Sequence, residues 1–392
     1  MTENTKSPWG VLTGIRPSKI ATKLLLGGMS ADDTVKYFVR EYGADEKKAR
    51  LATEVAQVEL PIRKNMSESG VSIYIGIPFC PTRCLYCSFV TCGTKQAARL
   101  TDKYVEALKR EISYVSDIVS ENGNTVETVY IGGGTPTTLS APLLDDMLSH
   151  LRDSFDLSCC KEFTVEAGRP DTIDREKLMT LKRRGVDRIS INPQSMNLDT
   201  LHLIGRAHTP EEIEQAFYLA RDCGFDNINM DVIAGLPGED LDMFKYTLER
   251  VEKMSPEDTT VHVMSIKRSS RLHEYLKDYQ LTDGDTVAKM VDFAYDFLRG
   301  RGKHPYYMYR QKNQLGNLEN VAYTKPGFES LYNVYIMEEI QTIISLGCGG
   351  VTKTVDRTCD RIERIFNVKE PKDYIERLDE MLSRKDALRN NA

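Results

Sequence analysis

Apolar residues recur at helical spacing through the first seventy positions of the chain. The stretches 18–26, 31–42 and 44–58 each carry such a stripe, with Gly27-Gly28 and Gly43 placed as stops. Ser30 offers an N-cap, because its hydroxyl can accept a bond from an early free amide. Residues 1–70 therefore read as an N-terminal helical appendage. From residue 71 the pattern changes to strand, then helix, repeated. Strand-like runs fall at 72–77, 126–131, 162–165, 188–191, 227–233 and 259–264, with helical stretches at 98–120, 141–154, 174–184, 210–223 and 240–254 between them. A strand that feeds a helix and returns parallel requires this alternation. The rhythm predicts an α/β fold: a partial parallel (β/α) barrel of about six units over residues 71–270. An open doubly wound sheet is the alternative.

Residues 271–392 read as a short C-terminal extension that completes the barrel and offers a candidate substrate region. Within it 285–301 has a helical pattern, Pro305-Tyr-Tyr-Met-Tyr-Arg-Gln311 is strand-forming, 330–346 suits a helix, and Gly347-Cys-Gly-Gly350 a tight turn. The segments 80–87, 132–136, 166–170, 192–195 and 235–237 hold the chemically distinctive residues. Each follows the C-terminal end of a strand. In a barrel those ends converge on one face, whereas an open sheet spreads them along an edge.

Composition narrows the classes. The chain is 41% hydrophobic and 28% charged, with 58 acidic against 52 basic residues and a net charge of −6. No strong basic field exists, so duplex nucleic acid is not an expected partner. The polar start lacks the apolar core of a signal peptide, and no apolar run approaches the ~20 residues of a membrane span. Nine cysteines in such a context fit a reducing cytoplasm and metal chemistry better than disulfides.

The densest chemistry lies in Cys80-Pro-Thr-Arg-Cys84-Leu-Tyr-Cys87. Three thiolates this close can hold one corner of a 4Fe–4S cube, leaving one iron open to a small molecule. Zinc, a redox pair or inert core cysteines are the plainer readings. Gly132-Gly-Gly-Thr-Pro136 is a turn whose missing side chains let a ligand near the backbone, or an ordinary strand-to-helix turn. Glu166 ends the third strand, where it can accept bonds from a ribose or an ammonium, or pair with Arg169. Asp231 lies within an apolar run and needs a partner if buried. Gln194 and Arg206 carry weaker signals. His208 and the other five histidines lack metal-ligand spacing and read as structural or exposed.

Cys80-X-X-X-Cys84-X-X-Cys87, with the aromatic Tyr86 before its last cysteine, resembles the signature of radical S-adenosylmethionine enzymes. Tyr74-Ile-Gly-Ile-Pro-Phe-Cys80, the glycine run, Glu166, Asn192-Pro-Gln194, Gly205-Arg206 and Asp231 through Gly235-Leu-Pro237 occur in one order. That order resembles the oxygen-independent coproporphyrinogen III dehydrogenases and their relatives. Gly10-Val-Leu-Thr-Gly-Ile-Arg-Pro17 and Tyr309-Arg-Gln-Lys-Asn-Gln-Leu-Gly-Asn317 resemble the HemZ-type branch. The resemblance implies that Cys80, Cys84 and Cys87 hold a 4Fe–4S cluster and that Tyr74, Gly133 and Glu166 contact S-adenosylmethionine bound to its open iron. Tyr86, Gly134, Thr135, Gln194, Arg206 and Asp231 match positions assigned in the family to a second S-adenosylmethionine.

It further implies a tetrapyrrole substrate, oxidative decarboxylation of its propionates to vinyl groups, and an electron donor such as a flavodoxin or ferredoxin. Two departures stand out. The dehydrogenases carry a fourth cysteine where this chain has Phe89, as related haem chaperones also have an aromatic there; Cys92 is three positions too late. The chain also ends soon after the barrel, without the dehydrogenases' sizeable C-terminal helical domain. A haem-binding chaperone, or another radical tetrapyrrole enzyme or methyltransferase, are the rival expectations. Tyr306, Tyr307 and Tyr309 offer flat faces for a macrocycle, and Arg310 and Lys312, with Arg16 and Lys19 as weaker candidates, offer cations for its carboxylates. The plainer reading is a half-buried strand with Arg310 solvated.

Overall fold

The computed structural model describes residues 7–390 except 13, 15, 90–93, 312–313 and 357–360, so Cys92 and Lys312 lie outside the described residues. Three helices come first: α1 (Pro17–Leu26), α2 (Ala31–Tyr42) and α3 (Glu46–Lys64). The Ser30 hydroxyl accepts from the Asp33 amide as an N-cap, and Gly43, at φ +64°, ends α2. The alternating region follows: β1 (Gly70–Ile77), α4 (Thr94–Glu121), β2 (Thr125–Gly133), α5 (Ala141–Ser154), β3 (Glu162–Gly168), α6 (Arg175–Arg183) and β4 (Arg188–Ile191). It continues through α7 (Leu198–Leu203), α8 (Pro210–Asp222), β5 (Asn227–Ala234), α9 (Leu241–Met254) and β6 (Asp258–Val263). The six expected strands are all present. The one-and-a-half-turn α7 escaped the periodicity because it is too short to show a stripe.

The remaining elements are α10 (Arg271–Glu274), α11 (Gly284–Arg299), β7 (His304–Arg310), β8 (Glu319–Thr324), α12 (Leu331–Glu338) and β9 (Thr342–Leu346). The hairpin β10 (Val351–Asp356) and β11 (Arg361–Phe366) comes next, then α13 (Pro371–Glu376) and α14 (Leu378–Lys385). They form one sheet ordered β11-β10-β9-β1-β2-β3-β4-β5-β6-β8-β7. From β9 to β6 the pairing is parallel; β8, β7, β10 and β11 add antiparallel edges. The two ends of the sheet do not pair, so the barrel is partial. Its curvature brings residues that follow β1 and residues of β7 into one pocket.

The stretch 330–346 is not a single helix. Glu339 takes a left-handed conformation at φ +52°, α12 stops, and Thr342-Ile-Ile-Ser-Leu346 becomes β9, parallel to β1. That run is rich in β-branched residues and is buried between two strands, which suits a strand better than a helix.

Along the parallel strands, side chains alternate between two faces. Ile73, Ile75, Val129, Ile131, Val165, Ile189, Met230 and Val261 are buried in the main core. The opposite face is polar. Thr128 donates to Ser72 at 2.7 Å, Asn229 to Ser190 at 2.8 Å and Thr260 to Asn229 at 2.9 Å. Arg188 and Tyr306 both donate to Asp258, and all three are essentially unexposed. Glu162 accepts from the Ser330 hydroxyl at 2.9 Å and from the Leu331 amide, which fixes the start of α12. That helix sets Tyr332 against Tyr130, ring centroids 4.5 Å apart, and against Tyr74 at 6.2 Å.

Asp258→Ala strips the buried Arg188 guanidinium of a hydrogen-bonded counter-charge. We expect a stability loss of about 3–5 kcal/mol, read as a lower denaturant midpoint; a midpoint unchanged within error refutes this account of the interior.

Candidate functional site

The loop after β1 carries the cysteines, and the loop after β2 lies against it. Gly134 donates its amide to the Ile77 carbonyl at 2.7 Å and Thr135 donates to the Phe79 carbonyl at 2.8 Å. A side chain at Gly134 would place its Cβ 2.6 Å from the Phe79 oxygen, and Gly133 sits at φ +106°. These positions require glycine: one for close approach, one for conformation. The Thr135 hydroxyl ends 3.4 Å from the Cys80 sulfur.

Cys80, Cys84 and Cys87 line a pocket of about 490 Å³ together with Tyr86, Gly133, Gly134, Thr135, Glu166, Gln194, Arg206 and Asp231. Tyr74 is the one anticipated S-adenosylmethionine contact outside that lining. It borders an adjoining cavity of about 300 Å³ that shares Gly133 and Gly134 with the first. Burial pushes the Cys80 thiol up to about 11 and raises Cys87 as well, the latter opposed in part by Arg83 and Arg206. Among the described residues no three histidine, cysteine, aspartate or glutamate side chains gather as a single-ion site would require. Three thiols spread over one pocket wall suit a cube, in which each binds a different iron.

Two carboxylates face this wall. Glu166 accepts from the Tyr130 hydroxyl at 2.8 Å, and burial pushes its carboxyl up to about 7. It does not pair with Arg169, whose guanidinium is committed to Asp171 at 2.9 Å and to Thr82. Burial raises Asp231, but hydrogen bonds from His262 and Asn229 outweigh it and hold the carboxyl below its ordinary value. The His262 Nε2 is 3.6 Å from Asp231 Oδ2, and Asn229 donates at 2.8 Å. Gln194 has a left-handed backbone at φ +66°; its amide donates to the Asp231 carbonyl and its carbonyl accepts from Ile233. Arg206 is buried, bonded to the Asn192 carbonyl and, at 3.5 Å, to the Tyr86 hydroxyl, while its Nε has no hydrogen-bond partner among the described residues.

Asn192, quoted only as part of a motif, also enters the lining, and so do three residues that had not been singled out: His262, Lys267 and Asn320. His262 had a usable signal, since it lies two positions after Thr260 and so on the same inner face. Lys267 follows β6 in an irregular segment and had none. The tyrosine–arginine strand divides. Tyr309 reaches the pocket, but Tyr306 is fully buried on Asp258, and Tyr307 is buried and stacked on Tyr309. Arg310 is neither solvated nor in the pocket: it is buried, donating to the Leu12 carbonyl at 2.8 Å and lying over the Trp9 ring. Arg16 pairs with Glu339, and neither it nor Lys19 lines the pocket. His208 is buried, and among the described residues neither of its ring nitrogens has a hydrogen-bond partner.

Glu166 holds its proton in the fold to a higher pH than in the unfolded chain. Its contribution to stability therefore falls as pH rises from about 4.5 to about 7. In cluster-free protein, Glu166→Gln should gain on the parent by up to about 3 kcal/mol across that window; parallel stability–pH curves for the two proteins refute it.

A sequence profile of the Radical SAM superfamily matches residues 74–251. The oxygen-independent coproporphyrinogen-III oxidase-like protein HemZ of Bacillus subtilis is 43% identical over 374 residues, covering 95% of this chain and 75% of that protein. The heme chaperone HemW of Escherichia coli is 29% identical over 306 residues, covering 78% of this chain and 76% of its own. The solved structure of coproporphyrinogen III oxidase (HemN) from Escherichia coli superimposes with a TM-score of 0.62 at 23% identity, covering 83% of this chain and 73% of that one, a likeness of fold. The chain thus belongs to the radical S-adenosylmethionine superfamily, in its HemZ-type branch, and its cofactors are a 4Fe–4S cluster and S-adenosylmethionine.

Proposed function

We propose that this protein is a cytoplasmic radical enzyme of haem formation that decarboxylates the propionates of coproporphyrinogen III to vinyl groups. The observation that carries the reading is the meeting of the cysteine loop, the glycine run, Glu166 and Asp231 around one pocket. Its 43% identity to a coproporphyrinogen-III oxidase-like relative supports the substrate class. The cluster and S-adenosylmethionine, when bound, would supply the one-electron chemistry that takes a hydrogen atom from a propionate β-carbon; the substrate radical would then lose carbon dioxide and pass its one surplus electron to an external one-electron acceptor, leaving the vinyl group.

In this reading Cys80, Cys84 and Cys87 ligate the cluster. Tyr74, Gly133 and Glu166 would hold the S-adenosylmethionine beside the cluster. Glu166 accepts a hydrogen bond from a ribose hydroxyl or an ammonium, and Tyr130 holds its carboxyl in place. Tyr86, Gly134, Thr135, Gln194, Arg206 and Asp231 hold a second S-adenosylmethionine, with Asp231 oriented by His262 and Asn229. Tyr309 offers an aromatic face to the macrocycle. The curved sheet keeps water from the reacting carbon once the pocket is filled.

A haem-binding chaperone is the second reading. Phe89, 62% exposed, lines both cavities where the dehydrogenases carry their fourth cysteine, and heme chaperones are among the relatives.

Reduced, cluster-loaded protein given coproporphyrinogen III without oxygen should release carbon dioxide and 5′-deoxyadenosine together. Tight haem binding without turnover favours the chaperone, and methyl transfer to an acceptor another radical reaction. Cys84→Ala should fold but fail to retain the cluster; unchanged iron content in that variant overturns the ligand assignment.

A further inference from the structure

The basic side chains that line the pocket differ in how their charge is met. Arg169 is paired with Asp171, Arg206 is bonded to the Asn192 carbonyl and the Tyr86 hydroxyl, and His262 faces Asp231. Arg83 bonds the Ser269 carbonyl and is otherwise exposed, so water solvates it. Lys267 is the exception. It is half-buried, and its ammonium donates to the side-chain carbonyl of Gln311. Among the described residues no carboxylate pairs with it, and burial alone moves its amine below the ordinary value. A partly desolvated cation without a counter-charge costs stability. A pocket keeps one where a ligand brings the missing anion.

Both members of this pair are anchored. Ser270 donates its amide at 2.9 Å and its hydroxyl at 2.7 Å to the Lys267 carbonyl. The Gln311 amide donates to the Gln314 side-chain oxygen at 2.7 Å, and Gln314 donates to Asn320 Oδ1 at 2.8 Å. That same oxygen accepts from the Val263 amide at 2.7 Å, at the end of β6. One network therefore ties the segment that carries Lys267 to the residue that follows β7. Gln311 lies two positions after Tyr309, and both line the pocket with Lys267. A flat ring beside a cation and an amide suits a macrocycle with carboxylates at its edge.

We propose that Lys267, seated on Gln311, clasps a propionate carboxylate of the bound tetrapyrrole and so sets the position of the macrocycle in the pocket. The inference rests on the tetrapyrrole reading above and names the residue that recognises the substrate's charge. An incoming carboxylate displaces water from the ammonium while Gln311 stays bonded to it. The pair is a specificity device: a macrocycle without propionates leaves the cation unanswered. No bond forms or breaks in this step.

The test measures binding of coproporphyrin III, the oxidised and fluorescent form of the macrocycle, to the full, cluster-loaded chain. In Lys267→Met the dissociation constant should rise about tenfold or more, the loss expected for a hydrogen bond to a charged group. Gln311→Glu changes little volume but supplies Lys267 with an internal carboxylate, and it should weaken the porphyrin similarly. Lys267→Arg should restore most of the affinity, because it keeps the charge. Binding of S-adenosylmethionine should stay parental in all three variants. Parental porphyrin affinity in Lys267→Met and Gln311→Glu overturns the proposal, as does an arginine variant as weak as the methionine one. A loss of S-adenosylmethionine binding as large as the loss of porphyrin binding also overturns it, by assigning the clasp to the cosubstrate's carboxylate. A parent that binds no coproporphyrin III sinks the tetrapyrrole reading together with the clasp, a result distinct from a porphyrin bound equally by parent and variants.

Discussion

A parallel sheet curled on itself points half of its side chains inward, and in this chain those side chains are polar. Burying Arg188, Asp258, Glu162 and the threonines between them is tolerable only because each meets a partner, on another strand or, for Glu162, at the start of α12. The requirement acts on geometry as well as stability. A one-residue slip of any strand would exchange its inner and outer sets, stranding charges among the isoleucines and valines of the outer core. Strand register, and with it the position of every loop at the rim, follows from this network.

The rim inherits that order. Gly133 and Gly134 press the second loop onto the first, so the Thr135 hydroxyl arrives at the Cys80 sulfur without a separate positioning element. Glu166 and Asp231 stand at comparable depths yet differ in charge. Glu166 has a tyrosine hydroxyl and burial around it, whereas Asp231 has an imidazole and an amide. Two carboxylates in one pocket are thereby set apart, one ready to hold a proton near neutrality and one kept ionised. The α12 helix closes the inner end by stacking Tyr332 on Tyr130, the same tyrosine that bonds Glu166.

The N-terminal segment is bound into this scheme from outside. Trp9 donates to Glu319 at 2.7 Å, Lys48 bonds the same carboxylate at 2.8 Å, and Arg310 lies over the Trp9 ring. The arginine that looks from its sequence context like a carboxylate clasp is a structural clamp on residues 12 and 14. Its strand neighbour Tyr309, pointing to the opposite face, is the member of that run left to meet a ligand.

The amino-acid sequence by itself determined the rhythm of six strands and helices, the cysteine triad, the glycine run and the two rim carboxylates. Each is written in local spacing or in residue types that few other environments require. Only the tertiary structure decided that 342–346 is a strand beside β1, that Tyr306 is buried on Asp258, and that His262 and Lys267 face the pocket. Periodicity reports which face of an element is apolar, but the partner of a polar inner residue comes from another strand, dozens of positions away. Nothing within β7 announces that Asp258 will take its first tyrosine, and nothing near Lys267 announces the cavity beside it. Those outcomes arise when the sheet curves and distant side chains meet.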